Sequence, residues 1–264
     1  ESAHFQLPPL RFTYHVGEDF LDVVDGIRAI DETMRFLEYR PGDRLGHALA
    51  LGVDAKAWYQ AKGDTVLLPL QDLVDNLAWL HGYLTLIGEH SLLALQNRLE
   101  RDWRNYFVQL LEATEHWENA KLLSTFTIHE YFQAWELRGD NPGSYDLDTR
   151  DDSGFDLNAR VLKQDSKPKI RVDSECGSYT DAWAMTALRN GDSSLHQIRN
   201  SERCKLLYVF YHRDEWCKAK GREIVHYEVD ADYISAAVRI QKYFQLLIRK
   251  RGIGIEANPT SNFL

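Results

Sequence analysis

Apolar residues near the start of the chain follow two different spacings. An apolar run at positions 10–14 predicts a strand, and positions 22–36 repeat apolar residues at the 3.6-residue spacing of one buried helical face. Pro41 and Gly42 end this helix, and an apolar run at positions 44–51 predicts a second strand. Strand, helix and strand in this order predict two parallel strands joined by a right-handed crossover.

The middle of the chain has a mainly helical pattern. Helices are predicted over positions 67–87, 90–111, 127–137, 179–189, 202–220 and 230–251, and a last strand over 253–257. Residues 139–170 are rich in Asp, Gly, Ser, Pro and Asn, which predicts a long loop. We therefore divide the chain into a βαβ segment at 1–55, a mainly helical insertion at 56–228, and a helix and strand at 229–264.

Composition excludes several classes of protein. Hydrophobic residues make up 44% of the chain, enough for a substantial core, and no apolar run approaches the ~18 residues of a membrane-spanning helix. The absence of a signal segment leads us to expect a cytoplasmic protein. The net charge of −9 disfavours nucleic acid as a partner, because nonspecific affinity for phosphates comes from Lys and Arg.

Cysteine usage adds no second site. Three cysteines are too few for a disulfide framework, and we expect reduced thiols. Cys176, Cys204 and Cys217 together with His212 could be combined into a structural zinc site, but their spacing fits no familiar pattern. The zinc-binding signature of cytidine deaminases is also missing.

Residues able to carry chemistry lie at or near the two predicted strands. His15 and Glu18 come at the end of the first strand, separated by Gly17, and His47 lies in the second. Ligands and metals bind at the carboxyl ends of parallel strands, where an imidazole can bind a metal and a carboxyl can move a proton. Spacing alone favours a structural role, with His15 hydrogen-bonded to backbone, Glu18 capping a helix and His47 paired with either Arg44 or Glu18.

Three segments in order change that assessment: H-V-G-E at 15–18, D-R-L-G-H-A at 43–48 and I-E-A-N-P-T-S-N at 255–262. Together they resemble the metal-dependent adenosine deaminase family of the amidohydrolase superfamily, over roughly residues 8–52 and 250–264. The resemblance implies an α/β fold in which these motifs end strands five, six and seven of a (β/α)₈ TIM-type barrel, with a large helical insertion.

The resemblance also implies roles for five residues. His15 would bind the catalytic Zn²⁺, Glu18 would protonate N1 of the purine, and His47 would help deprotonate the water that attacks C6. Glu256 and Asn258 match positions whose side chains support these groups and do not take part in the reaction directly. The implied substrate is adenine in adenosine, deoxyadenosine or a nucleotide such as ATP, which is converted to the inosine form.

The sequence also departs from the family pattern in two places. None of the ten histidines forms the family's H-x-H metal pair, and the Asp pair that follows the eighth strand would lie beyond Leu264. We therefore expect this chain to be a segment of a larger deaminase and to be inactive alone, with most zinc ligands outside it.

The long stretch between His47 and Ile255 resembles the insertion of the deaminase subunit of the bacterial anti-phage RADAR system and, less closely, CRISPR-linked adenosine deaminases. This implies a homo-oligomer acting in antiviral defence beside an ATPase. Two alternatives remain: a non-catalytic assembly module built on a deaminase-like barrel, and an amidohydrolase for another amine, which the presence of Glu18 disfavours.

Overall fold

The chain has a mixed α/β fold that is mostly helical with small sheets. The computed structural model describes residues 10–113, 117–140 and 193–257. Its strands are β1 (Thr13–Val16), β2 (Arg44–His47), β3 (Thr65–Pro69), β4 (Ile224–Glu228) and β5 (Gly254–Glu256). Its helices are α1 (Val23–Phe36), α2 (Ala55–Ala61), α3 (Leu70–Leu86), α4 (Leu93–Leu111), α5 (Trp117–Leu123), α6 (Ile128–Glu136), α7 (Ser193–Asn200), α8 (Glu202–Arg213), α9 (Glu215–Gly221) and α10 (Ala231–Arg251).

The described residues divide between two compact units. The first combines the segments 1–66 and 227–264, and the second is the continuous segment 67–226. The chain passes from the first unit to the second within β3 and returns within β4, and these strands form a two-stranded sheet. The second unit is therefore inserted into the first in sequence.

A three-stranded parallel sheet forms the centre of the first unit, in the order β1-β2-β5. Tyr14 lies beside Leu45, and Leu45 lies beside Ile255. The turn before β2 is held by the buried Asp43, whose carboxylate accepts the backbone N–H of Phe12 at 3.0 Å. The predicted βαβ unit is therefore present, with both strands parallel.

Local signals in the sequence set the limits of the helices in this unit. Asp22 caps α1 by accepting the backbone N–H of Val24 at 3.2 Å, and Asp230 caps α10. Gly252 ends α10 in the left-handed conformation, with φ 66°, after three basic residues in the last turn. The buried faces of α1 and α10 supply apolar residues such as Ile27, Ile30, Ile240 and Phe244 to the core.

The second unit is a group of helices packed around aromatic side chains. Trp103 stacks on Phe107 with ring centroids 5.0 Å apart, and both contact Tyr131 of α6. A capping box formed by Thr127 and Glu130 starts α6, as its sequence predicts. Most aromatic residues of 103–135 whose side chains are described are buried, whereas Tyr106 is half-buried. The side chain of Trp117 is not among the described residues.

Several boundaries differ from the predictions. The helix predicted over 202–220 is two helices, because Asp214 is extended and caps α9 through the backbone N–H of Cys217. The strand predicted over 44–51 ends at His47 and is followed by a short 3₁₀ turn, Leu49–Leu51. The predicted helix at 179–189 and most of the predicted loop at 139–170 lie outside the described residues. Among the helices that are described, none has the length and apolar character needed to cross a membrane.

Candidate functional site

The candidate site lies where β1 and β2 end. Val16 is the last residue of β1 and lies beside His47, the last residue of β2. The strands are parallel, so their carboxyl ends share one edge of the sheet, where the next residues of the chain can converge. Two left-handed residues follow at the end of β2, His47 with φ 64° and Ala48 with φ 47°.

His15, Glu18 and His47 come together at this edge. Glu18 is close to both imidazoles, with Oε1 3.8 Å from His15 Nδ1 and Oε2 3.6 Å from His47 Nε2. The two rings stand edge to face with centroids 4.7 Å apart. One ligand atom from each residue lies within 4.8 Å of the others, and this is the one such group of three potential metal ligands among the described residues.

Gly17 turns the chain so that Glu18 faces the two histidines. Its φ of 71° is in the left-handed region, and a Cβ there would lie 2.6 Å from Cδ1 of Ile30. The backbone N–H of Ala50 donates to the Gly17 carbonyl at 2.7 Å, which anchors the turn to the chain after β2. A glycine is therefore required at this position for both conformation and space.

The three side chains differ in burial. The His15 side chain is 63% exposed and that of Glu18 28%, whereas the His47 side chain is 5% exposed. Nδ1 of His47 is buried and has no hydrogen-bond partner among the described residues. A buried ring nitrogen without a partner is costly.

Arg44 and Glu256 form a separate pair on the sheet. Arg44 was one of two predicted partners of His47, but its Nε lies 3.3 Å from Glu256 Oε2 and donates to Thr13 Oγ1 at 3.2 Å. Glu18 is the carboxylate that faces His47. Glu256 lies beside Gly46 in the register of β5 and β2. Asn258, the other expected supporting residue, lies outside the described residues.

The cysteines do not assemble a second site within the described residues. Cys217 Sγ donates to the Leu110 carbonyl at 3.0 Å, and Cys204 Sγ is 3.9 Å from the Glu130 carbonyl. Both side chains are buried, which raises the pKa of each thiol. Burial therefore favours neutral, inert thiols over the thiolates that zinc binds. Cys176 lies outside the described residues.

One buried carboxylate, at the start of α1, was not predicted from the sequence. Asp22 is fully buried, and its two oxygens accept the hydroxyl groups of Tyr59 and Tyr233. Burial raises the pKa of Asp22 to about 6, against the opposing effect of these hydrogen bonds. Asp22 could be recognised in the sequence as a helix cap. Its partners lie in α2 and α10, far from it in the chain, so no local pattern predicts these hydrogen bonds.

Chemically, the group at the sheet edge offers two imidazole nitrogens and a carboxylate oxygen. Zn²⁺ takes these donor types. The three ligand atoms lie within 4.8 Å of one another. The same residue types can also transfer protons.

No protein-family model matches the chain, and no curated protein matches it.

Proposed function

We propose that this chain is a segment of a zinc-dependent aminohydrolase of the adenosine deaminase type, which converts adenine in a nucleoside or nucleotide to the inosine form. The observation that carries the proposal is the convergence of His15, Glu18 and His47 at the carboxyl edge of parallel strands. Side chains from two separate strand ends thus share one edge of the sheet, which supports the proposal.

The open sheet supports the proposal that β1, β2 and β5 are strands five to seven of a barrel. Parallel sheets are normally covered on both faces. Here His15, Arg44 and Glu256 are exposed on one face, and neither β1 nor β5 has a second neighbouring strand among the described residues. Closure by further strands would cover this face and enclose the site.

The donor set fits zinc, and His15 is the residue we propose as its ligand. Its imidazole is the more exposed of the two and can be reached by an ion held by other residues of the whole protein. Bound Zn²⁺ would act as a Lewis acid and would lower the pKa of the attacking water toward 7. Glu256, paired with Arg44, would support the site from the neighbouring strand.

Glu18 and His47 are the proposed proton-transfer groups. A protonated Glu18 carboxyl would donate to N1 of the purine, which makes C6 more electrophilic. His47 Nε2 faces Glu18 and would accept the proton of the attacking water. Burial of the His47 ring would keep it in this orientation. The neutral imidazole must carry its proton on Nδ1 for this role.

The test separates metal binding from proton transfer in the full-length protein. His15→Ala should lose zinc and turnover together, whereas Glu18→Gln should keep zinc and lose turnover by about 10²- to 10⁴-fold. Zinc per chain and conversion of adenosine, deoxyadenosine and ATP would be measured. His129→Ala and Glu100→Gln, at exposed positions of α6 and α4, are matched controls that should change neither. Undiminished turnover in Glu18→Gln would remove the proposed mechanism.

We extend the proposal to anti-phage defence, with a homo-oligomer and an ATPase as partners, on the strength of the inserted second unit. A strain carrying the full-length protein should resist phage, and Glu18→Gln should abolish resistance. Resistance that persists in this variant although its turnover is lost would favour the non-catalytic assembly module.

A further inference from the structure

The His15 side chain lies against the neighbouring strand at Gly46, which has no side chain. In the register of β1 and β2, His15 lies directly beside Gly46, and Gly46 lies beside Glu256 of β5. Neighbouring residues in this register project to the same face of a sheet. Gly46 is therefore the middle position of a row of three whose outer members carry long polar side chains.

Space, rather than backbone conformation, requires a glycine at position 46. A Cβ built on Gly46 would lie 2.3 Å from Cδ2 and 3.0 Å from Cγ of His15, and 3.1 Å from the His15 Cα. The left-handed positions in this segment are His47 and Ala48, not Gly46. An alanine at 46 therefore meets no conformational penalty of the left-handed kind but collides with the His15 ring.

We infer that Gly46 is a positioning residue for the metal ligand His15: its missing side chain lets the His15 imidazole lie across β2, edge to face with His47 and within reach of Glu18. The inference rests on the proposed function, because it concerns the same site. A methyl group at 46 would force the His15 ring away from the position it shares with Glu18 and His47. Neither the H-V-G-E motif nor the D-R-L-G-H-A motif alone reveals this contact, because it joins the two strands.

The first experiment compares zinc affinity in full-length Gly46→Ala and Gly52→Ala proteins by competition with a chelator. Gly52 has φ −114°, and its nearest contact for a Cβ is the Leu49 carbonyl at 4.0 Å, so alanine fits there. We expect Gly46→Ala to bind zinc about 10- to 100-fold more weakly, the usual effect of losing support for a metal ligand. Gly52→Ala should bind zinc as the unaltered protein does.

Turnover distinguishes positioning from general damage to the fold. Excess zinc should restore kcat in Gly46→Ala while KM for adenosine stays unchanged, since the substrate-facing groups are intact. Zinc affinity equal to that of the unaltered protein, or a lowered kcat that excess zinc does not restore, would overturn the inference. Failure of the proposed function would be seen separately, as an unaltered full-length protein that holds no zinc and deaminates no substrate.

A stability cycle covers the case in which Gly46→Ala folds poorly. If the methyl group collides with the His15 ring, then Gly46→Ala should destabilise the His15→Ala protein much less than it destabilises the unaltered protein. Equal destabilisation by Gly46→Ala with and without the His15 ring would show that residue 46 acts on something other than His15 and would overturn the inference.

Discussion

At the scale of single residues, Asp22 is a buried carboxyl whose pKa is raised. It lies at the start of α1, fully buried, and accepts hydrogen bonds from Tyr59 and Tyr233. Burial raises its pKa to about 6 from 3.8, and nearby Asp25 adds to the rise. The folded protein therefore holds a proton that the unfolded chain has already lost over this range of pH.

This difference in pKa makes stability depend on pH in a defined direction. Because the folded-state pKa lies above the unfolded one, the free energy of unfolding should fall as pH rises from about 4 to about 6. The loss is on the order of 3 kcal/mol for a shift of about two units. Asp22→Asn cannot ionise, so its stability should change less over this range, as measured by urea unfolding at several pH values. Asp54→Asn, an exposed cap of α2, should retain the dependence of the unaltered protein; an identical dependence in Asp22→Asn would contradict the assignment to Asp22.

The candidate site was predictable at this scale because its residues lie at or just after the carboxyl ends of two strands. His15, Glu18 and His47 were singled out from strand ends and motif order, and the structure brings them within 4.8 Å. The close approach of His15 to Gly46 and the Arg44–Glu256 pair were not predictable, because both depend on the register between strands. A single sequence carries no direct record of which residues face each other across a sheet.

At the scale of elements, a buried ion pair joins two helices of the second unit. Asp75 of α3 accepts two hydrogen bonds from Arg138, which follows α6, including one of 2.7 Å from Nη2. Tyr131 also donates to Asp75 at 2.7 Å, and the Arg138 guanidinium lies 3.6 Å from the centre of the Tyr211 ring of α8. Arg138 therefore connects α3, α6 and α8.

Removing one partner of this pair should destabilise the protein strongly. Arg138→Met leaves the Asp75 carboxylate buried without its cation, which should lower the free energy of unfolding by about 3–5 kcal/mol. Adding Asp75→Leu should recover part of this loss, because no buried charge then remains. Lys218→Met, which removes the exposed ion pair with Glu215, is the control and should cost less than about 1 kcal/mol. Urea unfolding of the four proteins would decide; a loss under about 1 kcal/mol in Arg138→Met would mean that the pair is dispensable.

Elements were predictable where periodicity and caps agree. Helices α1, α6 and α10 begin within a residue of their predicted starts, each after a side-chain cap. Strand β3 was missed because its apolar residues run directly into α3, so that one helical pattern covers both. Strand β4 was also not predicted from the sequence. It is short and carries polar residues, and it pairs with β3, which lies far from it in the chain.

At the scale of the whole molecule, the second unit has the properties of an inserted domain. It is a continuous segment, 67–226, and its aromatic core includes Trp79, Trp103, Phe107 and Trp135, all buried. The three proposed site residues all lie in the first unit. Folding of the insertion and binding of metal should therefore be separable.

A polypeptide containing only residues 67–226 should accordingly fold and unfold cooperatively, because a unit with its own buried core can be stable alone. Trp103→Ala should lower its free energy of unfolding by about 3–5 kcal/mol, and by the same amount in the full chain, since the stacking of Trp103 on Phe107 lies within this unit. Circular dichroism during urea unfolding measures both, and Leu86→Ala, at an exposed position of α3, is the control that should change little. A gradual, non-cooperative transition in the shorter polypeptide, or an effect of Trp103→Ala confined to the full chain, would mean that the helices of 67–226 depend on the residues around them and do not form an autonomous insertion.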